Sequence, residues 1–338
     1  MTGPIFLHLR AKMLSFYPDG MKNTVGDAPT FAGWIQCGGF NLRTASTTDI
    51  TIECAPVEIA SVFLRDVERL LNHCVEQALE IYRFGVENCI RSDAWNVVTI
   101  YYHCFFAAQA LLRLIGEPVF FMDKENIGIF KSIAAAANFP GPGMFEFHQT
   151  SVTTLSLSEY TFKKKSRRPH EATWKKLLHL FDSFVHDRAL ATDAKEASLF
   201  ASLATQKLFR IYSDYDWPSR VRYNANYNPG FAYLLVEGRN RARTKKLFQR
   251  WKGIAEPNLE AFLRSTVDDC ICSNDFDAFE TQVRLLFDVG QVLFIISKRL
   301  YHELLLRRNC DKRWSLHRYR LVERAGISPD EYSLLYSR

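Results

Sequence analysis

From Pro56 onward the apolar residues fall three and four apart: Ile59, Val62, Phe63, Val67, Leu70, Leu71, Val75, Ala78 and Leu79. That is the helical period, and it predicts one long amphipathic helix over 58–90. The next stretch, "RSDAWN", offers Ser92 as an N-cap and Asp93 near the positive end of a second helix, which Gly116 and Pro118 stop close to Leu114. The two predict a helical hairpin.

The second helix is apolar on most of its circumference. Tyr101, Phe105, Ala108 and Leu112 share one stripe, and Tyr102, Phe106, Gln109 and Arg113 lie beside it. A third stripe begins polar, with Asn96, Thr99 and His103, and ends in Ala107, Ala110 and Leu114. The alanines would let another helix approach closely, and the polar end would line a small pocket. His103 is then either a core histidine bonded to Thr99 or a neighbour, or a pocket residue able to move protons near neutral pH. With no carboxylate on its own helix to orient it, the structural reading is preferred.

The remaining pattern is less regular. Residues 1–57, with five glycines between Gly20 and Gly39 and a β-like "TDITIECA" at 48–55, read as an irregular or small β-containing lead-in. "NFPGPG" at 138–143 reads as a loop, and "FHQTSVTTLSLSEYTF" at 147–162 as a β-hairpin inserted at 138–170. Helical spacing returns at 171–187, 194–213, 239–253, 257–270, 275–308 and 312–325. Asp277 and Glu280 have capping-box spacing, and Arg284 stands one turn before Asp288 as its ion-pair partner. The expected fold class is mainly α: a lead-in at 1–57, a helical bundle at 58–235 and a C-terminal helical region at 236–338. The alternative is a two-layer α+β organisation, which follows if the first 57 residues pair with 147–162 in one sheet.

Composition changes this picture little, since a chain of 338 residues that is 47% hydrophobic and 24% charged is globular in type. "MTGPIFLHLRAK" has neither a charged leader nor a sustained apolar stretch, so no secretory signal is expected and the cytoplasm is the expected location. Trp95–Leu112 reaches spanning length but carries Asn96, Thr99, His103 and Gln109, which favours a buried helix over a membrane span. The eight cysteines form no framework and suggest reduced thiols. Cys270 and Cys272 have no second pair to complete a zinc site, so no metal is expected. Phosphate-loop, nucleophile-elbow, His-Glu-x-x-His and dinucleotide signatures are all missing, and no cofactor is expected.

Charge is more informative by position than by its net value of +6. "KKKSRRPH" (163–170), "RNRARTKKLFQRWK" (239–252) and "RRNCDKRWSLHRYR" (307–320) hold most of the excess. They are either solvated faces or a phosphate-tracking surface formed by Lys163, Lys164, Lys165, Arg167, Arg168, Arg239, Arg241, Arg243, Lys245, Lys246 and Arg250, with interleaved aromatics to stack bases.

"TIYYHCFFAAQALLRLIG" (99–116), preceded by the helix at 58–90, resembles the central helix of HEPN domains, which are prokaryotic α-helical bundles. "SRVRYNANYNPGFAYLL" (219–235) looks like the family's Arg-x-x-Ala-Asp-Tyr segment, with Arg222, Ala225 and Tyr227 matching and Asn226 in place of the acid. The resemblance spans 58–116 and 195–235 and implies a HEPN-like helical bundle for the segment 58–235. Many such domains are metal-independent ribonucleases, which implies an arginine followed, after four to six residues, by a histidine, often paired across a dimer. Chemically, the arginine would stabilise charge on phosphorus while the histidine moves the proton of the attacking 2′-hydroxyl.

No histidine here has an arginine five, six or seven positions before it. Arg69–His73 and Arg313–His317 are four apart, and Arg222–Tyr227 has the spacing without the histidine. A tyrosine near its free pKa is a poor base at pH 7. The expected function is therefore a non-catalytic HEPN-like binding subunit of a prokaryotic defence or toxin–antitoxin type assembly. Its basic runs would meet RNA, DNA or an acidic partner protein, and the chain could form a homodimer. The alternative is a metal-independent ribonuclease with a displaced site, using Arg313 and His317, or His103 and His170 with neighbouring arginines. Arg222 is read first as a structural group bonding a helix end or an acid such as Asp214 or Asp216.

Overall fold

A computed structural model describes residues 4–19, 21, 28–86, 93–133, 138–152, 156–165, 168–186, 216–227 and 279–308. The described residues are mainly helical. In chain order the elements are α1 (Pro4–Phe16), α2 (Phe31–Cys37), β1 (Asn41–Ala45), β2 (Asp49–Cys54), α3 (Pro56–Val86) and α4 (Asp93–Leu114). Then follow β3 (Val119–Met122), α5 (Lys124–Ile133), β4 (Gly143–Val152), β5 (Ser158–Lys164), α6 (Pro169–His186), α7 (Trp217–Tyr227) and α8 (Phe279–Arg307).

The helical hairpin forms as its spacing predicts. Cys74 faces His103 and Asp66 faces Arg113, so α3 and α4 run antiparallel. The α4 terminus is set by Gly116, whose φ of +73° lies in the left-handed region. Its N–H donates to the Arg113 carbonyl while the Glu117 N–H reaches back to Leu112, closing a Schellman turn. Glu117 then takes Lys12 from α1 and Lys176 from α6. Burial would raise its carboxyl, but the two ammonium groups outweigh that and hold it below the ordinary range.

The third stripe of α4 meets α8. Ala107 and Ala110 are fully buried, and Ser297 donates to the Ala107 carbonyl at 3.2 Å, the close approach that small residues permit. A Cβ on Gly290 would stand 3.1 Å from the His103 ring and 3.3 Å from the Cys104 Cβ. Within α8, Arg284 lies 4.0 Å from the buried Asp288, one turn away as its spacing predicts.

The lead-in holds the small β element expected of it, β1 and β2, with two helices beside it: Leu9, Met13, Phe16 and Tyr17 bury one face of α1, and the Thr30 hydroxyl caps α2 by accepting from the Gly33 N–H. One expectation requires correction: the hairpin does not stand apart as an insertion in a bundle. The five described strands form one antiparallel sheet in the order β1-β2-β5-β4-β3, with β5 at its centre. Ile50 pairs with Phe162 and Ile52 with Tyr160, which is the condition for the two-layer α+β alternative. Period-two alternation explains why: Ile50, Ile52, Cys54, Tyr160, Phe162 and Phe147 point to one face, and that face needs a cover. Phe63 of α3, Phe16 of α1 and Phe31 of α2 supply it, with Phe63 and Phe147 edge to face at 4.9 Å and Phe31 stacked on Phe120 at 3.8 Å.

Strand β3 and helix α5 have no counterpart in the sequence reading. Asp123 accepts from the Asn126 N–H as the cap of α5, and Ile127 and Phe130 bury its inner face. The expected Ser92 cap, the Asp277–Glu280 capping box and the helices at 194–213, 239–253, 257–270 and 312–325 lie outside the described residues.

Two substitutions test this frame. Gly116→Ala adds a left-handed penalty and drives a methyl to 2.4 Å from the Phe16 ring, so equilibrium urea unfolding should show a loss of roughly 2–4 kcal/mol. Gly290→Val overfills the α4–α8 contact and should cost about 1–3 kcal/mol in the same assay.

Candidate functional site

His103 is buried in the α3–α4–α8 interface. Its Nδ1–H donates to the Cys74 carbonyl at 2.9 Å, the Cys74 thiol returns a bond to the His103 carbonyl, and Nε2 faces Gln291 Nε2 at 3.5 Å. Its expected partner Thr99 instead donates to the Trp95 carbonyl. Burial pushes the His103 imidazole down to about 4, so it is neutral and acts as a packing group.

The polar convergence of the fold lies on the other side of α4. Tyr101 of α4, His170 in the first turn of α6, Trp174 one turn on, and Ser219 and Arg222 of α7 meet there. His170 Nδ1 is 2.7 Å from Tyr101 Oη, and Trp174 Nε1 donates to the same oxygen at 3.3 Å. Arg222 Nη1 lies 3.0 Å from His170 Nε2, and Ser219 Oγ stands 3.4 Å from Tyr101 Oη. The Arg222 guanidinium also sits over the rings of Tyr101 and Tyr102 at 5.7 and 5.8 Å.

The donor inventory fixes the protonation of this cluster. A guanidinium only donates, so His170 Nε2 accepts, the neutral ring carries its proton on Nδ1, and that proton goes to Tyr101 Oη. The Tyr101 hydroxyl hydrogen is left for Ser219. Burial, and secondly the Arg222 charge, lower the His170 imidazole to about 4. Burial pushes the Tyr101 hydroxyl well above its ordinary value. At neutral pH His170 is not an imidazolium, its one N–H is engaged by Tyr101, and its basic lone pair is occupied by Arg222. Among the described residues Arg222 makes no ion pair with a carboxylate, although the Asp216 carboxylate just before α7 acts on Tyr101 in the same cluster, and Arg222 Nε is buried without a hydrogen-bond partner.

The structure thus brings Arg222 and His170 together from 52 residues apart, and neither the Arg222–Tyr227 spacing nor any local motif signals it. Tyr227 is exposed at the far end of α7 and takes no part in the cluster; its ring packs beside Tyr223. Asn224 and Asn226 are helical residues of α7.

Three described cations of the first basic run have nearby acids. Lys163 stands opposite Asp49 on β2 and Glu146 on β4, Lys165 is 3.6 Å from Glu146, and Arg168 is 4.0 Å from Glu171. Lys164 is half-buried at the end of β5. Arg167, Arg239, Arg241, Arg243, Lys245, Lys246, Arg250, Arg313 and His317 lie outside the described residues. Cys54, Cys74 and Cys104 are buried free thiols and Cys37 an exposed one. Among the described residues no three His, Cys, Asp or Glu side chains gather as a metal site. Ala94–Leu114 is the one described helix long and apolar enough to cross a membrane, and most of it is buried inside the protein.

Comparison with family models, with curated proteins and with solved structures finds no match to this chain.

The two depressed imidazoles make stability pH-dependent in a defined direction. His103 and His170 ionise near 6.5 when unfolded and near 4 when folded, so unfolding takes up protons between those values. Their contribution is intact above pH 6.5 and lost progressively as the pH falls towards 4. Urea midpoints measured at pH 7.5, 5.5 and 4.5 should fall in that order, and His170→Asn should flatten the dependence by about half; a flat wild-type profile would contradict neutral burial of these rings.

Proposed function

We propose that this protein is a non-catalytic helical binding subunit whose ligand presents an anionic group to Arg222. One observation carries the reading: the Arg222 guanidinium is held by His170 Nε2 and two tyrosine rings, yet it makes no ion pair with a carboxylate among the described residues. A cation positioned by neutral partners keeps its charge available for a phosphate or carboxylate from outside. The neutral, lone-pair-occupied His170 supports binding over acid–base chemistry.

The HEPN resemblance extends this reading to a subunit of a prokaryotic defence or toxin–antitoxin type assembly, in the cytoplasm, facing RNA, DNA or an acidic partner protein or a second copy of itself. The antiparallel α3–α4 hairpin with Arg222 beside its aromatic helix is the arrangement that supports the likeness. A ribonuclease with a displaced site is the second reading. It is favoured by the 3.0 Å approach of Arg222 to His170, because a phosphate drawing the guanidinium away would free Nε2.

Labelled single-stranded RNA incubated without metal separates the two. A mobility shift that salt weakens, that Arg222→Gln removes and that leaves the RNA intact is the expected result. Cleavage abolished by His170→Ala would replace the binding reading with the enzymatic one.

A further inference from the structure

His170 could carry its one proton on either ring nitrogen, and only one of the two forms can receive Arg222. A neutral imidazole has one donor and one acceptor nitrogen, and the hydrogen bond made at the first sets what the second can do. With the proton on Nε2, that N–H would point at Arg222 Nη1, donor against donor, across the 3.0 Å between them. With the proton on Nδ1, Nε2 accepts. An acceptor placed at Nδ1 therefore selects the form that holds the arginine, and Tyr101 Oη stands there at 2.7 Å.

A hydroxyl accepts or donates as its surroundings require, and those of Tyr101 give it a direction. Trp174 Nε1–H can only donate and lies 3.3 Å from the oxygen. Ser219 Oγ, 3.4 Å away, can take the phenolic hydrogen. The Asp216 carboxylate acts on Tyr101 through its charge, and an ionised carboxylate has no proton with which to compete as a donor. The Tyr101 ring is fully buried, so its oxygen stays where α4 puts it.

We infer that Tyr101 is a positioning residue, which fixes the tautomer of His170 and through it the place of the Arg222 guanidinium. Its effect on binding rests on reading Arg222 as the group that meets the ligand's anion; its effect on the imidazole does not. Tyr101→Phe keeps the ring under Arg222 and removes the oxygen, which strands the buried Nδ1–H without its acceptor. The imidazole escapes that penalty by carrying its proton on Nε2 instead. Arg222 then faces a donor and leaves.

Long-range proton–nitrogen correlation spectra of the full-length chain, labelled in histidine and arginine and held at pH 7, read both steps of this relay. His170→Asn identifies the His170 signals among those of the nine histidines, and Arg222→Gln identifies the guanidinium. The wild type should show the Nδ1–H form of His170 and slowed rotation of the Arg222 guanidinium. Tyr101→Phe should show the Nε2–H form and a freely rotating guanidinium, and its affinity for labelled single-stranded RNA should fall roughly tenfold. Trp174→Phe removes a donor to the same oxygen and leaves the acceptor, so it should keep the Nδ1–H form. A wild-type His170 protonated on Nε2 would overturn the inference without any variant. So would a folded Tyr101→Phe variant that keeps the Nδ1–H form or the slowed guanidinium, or a switch in Trp174→Phe as complete as in Tyr101→Phe. Unchanged RNA affinity in a variant whose imidazole has switched would overturn the part of Tyr101 in binding. Failure of the wild type to bind RNA would overturn the Arg222 reading alone, because the imidazole and guanidinium signals report the relay without a ligand.

Discussion

Helix α4 is buried along almost its whole circumference, and the rest of the fold is arranged to cover it. Tyr101, Cys104, Ala107, Ala108, Leu111 and Leu112 are all buried, and α3, α6, α7 and α8 each take a share of the surface. Burying apolar surface at roughly 25 cal/mol per Å² makes such a helix a strong organiser. It also obliges every polar group on it to find a partner. His103 answers to Cys74, Thr99 to its own helix, Gln109 to Thr173, and Arg113 to Asp66. Asn96, whose Nδ2 makes no hydrogen bond, is the exception.

That constraint explains why the candidate site is where it is. α6 and α7 cover the Tyr101 side of α4, so His170, Trp174, Ser219 and Arg222 are delivered to one buried phenol. The same burial keeps His170 neutral, and neutrality turns it from a proton carrier into an acceptor that positions a guanidinium. Two histidines on opposite sides of one helix thus reach similar states for the same reason, desolvation, but only His170 passes the consequence on to a charged group half open to solvent.

Much of the fold was legible in local pattern. The three–four spacing from Ile59, the stop at Gly116, the strand alternation at Ile50 and Ile52, and the hairpin to Phe162 all report backbone geometry set within a few residues. α1 and α5 were legible in principle: Leu9, Met13 and Phe16 have helical spacing, and Asp123 is a recognisable cap. The glycines scattered through the lead-in masked the first, and the brevity of the second hid it. The site was much less legible. Arg222 and His170 were visible as residues, but their spacing in sequence says nothing of their 3.0 Å approach.

By itself, the amino-acid order determined which segments are helices and strands and which of their faces avoid water, because those depend on periodicity and on near-neighbour sterics. Only the tertiary structure decided that the hairpin joins β2 in one sheet, that α8 rather than another helix lies against the alanines of α4, and that Arg222 meets His170. Pairing between distant segments depends on which complementary surfaces meet in three dimensions, and no local spacing encodes that choice.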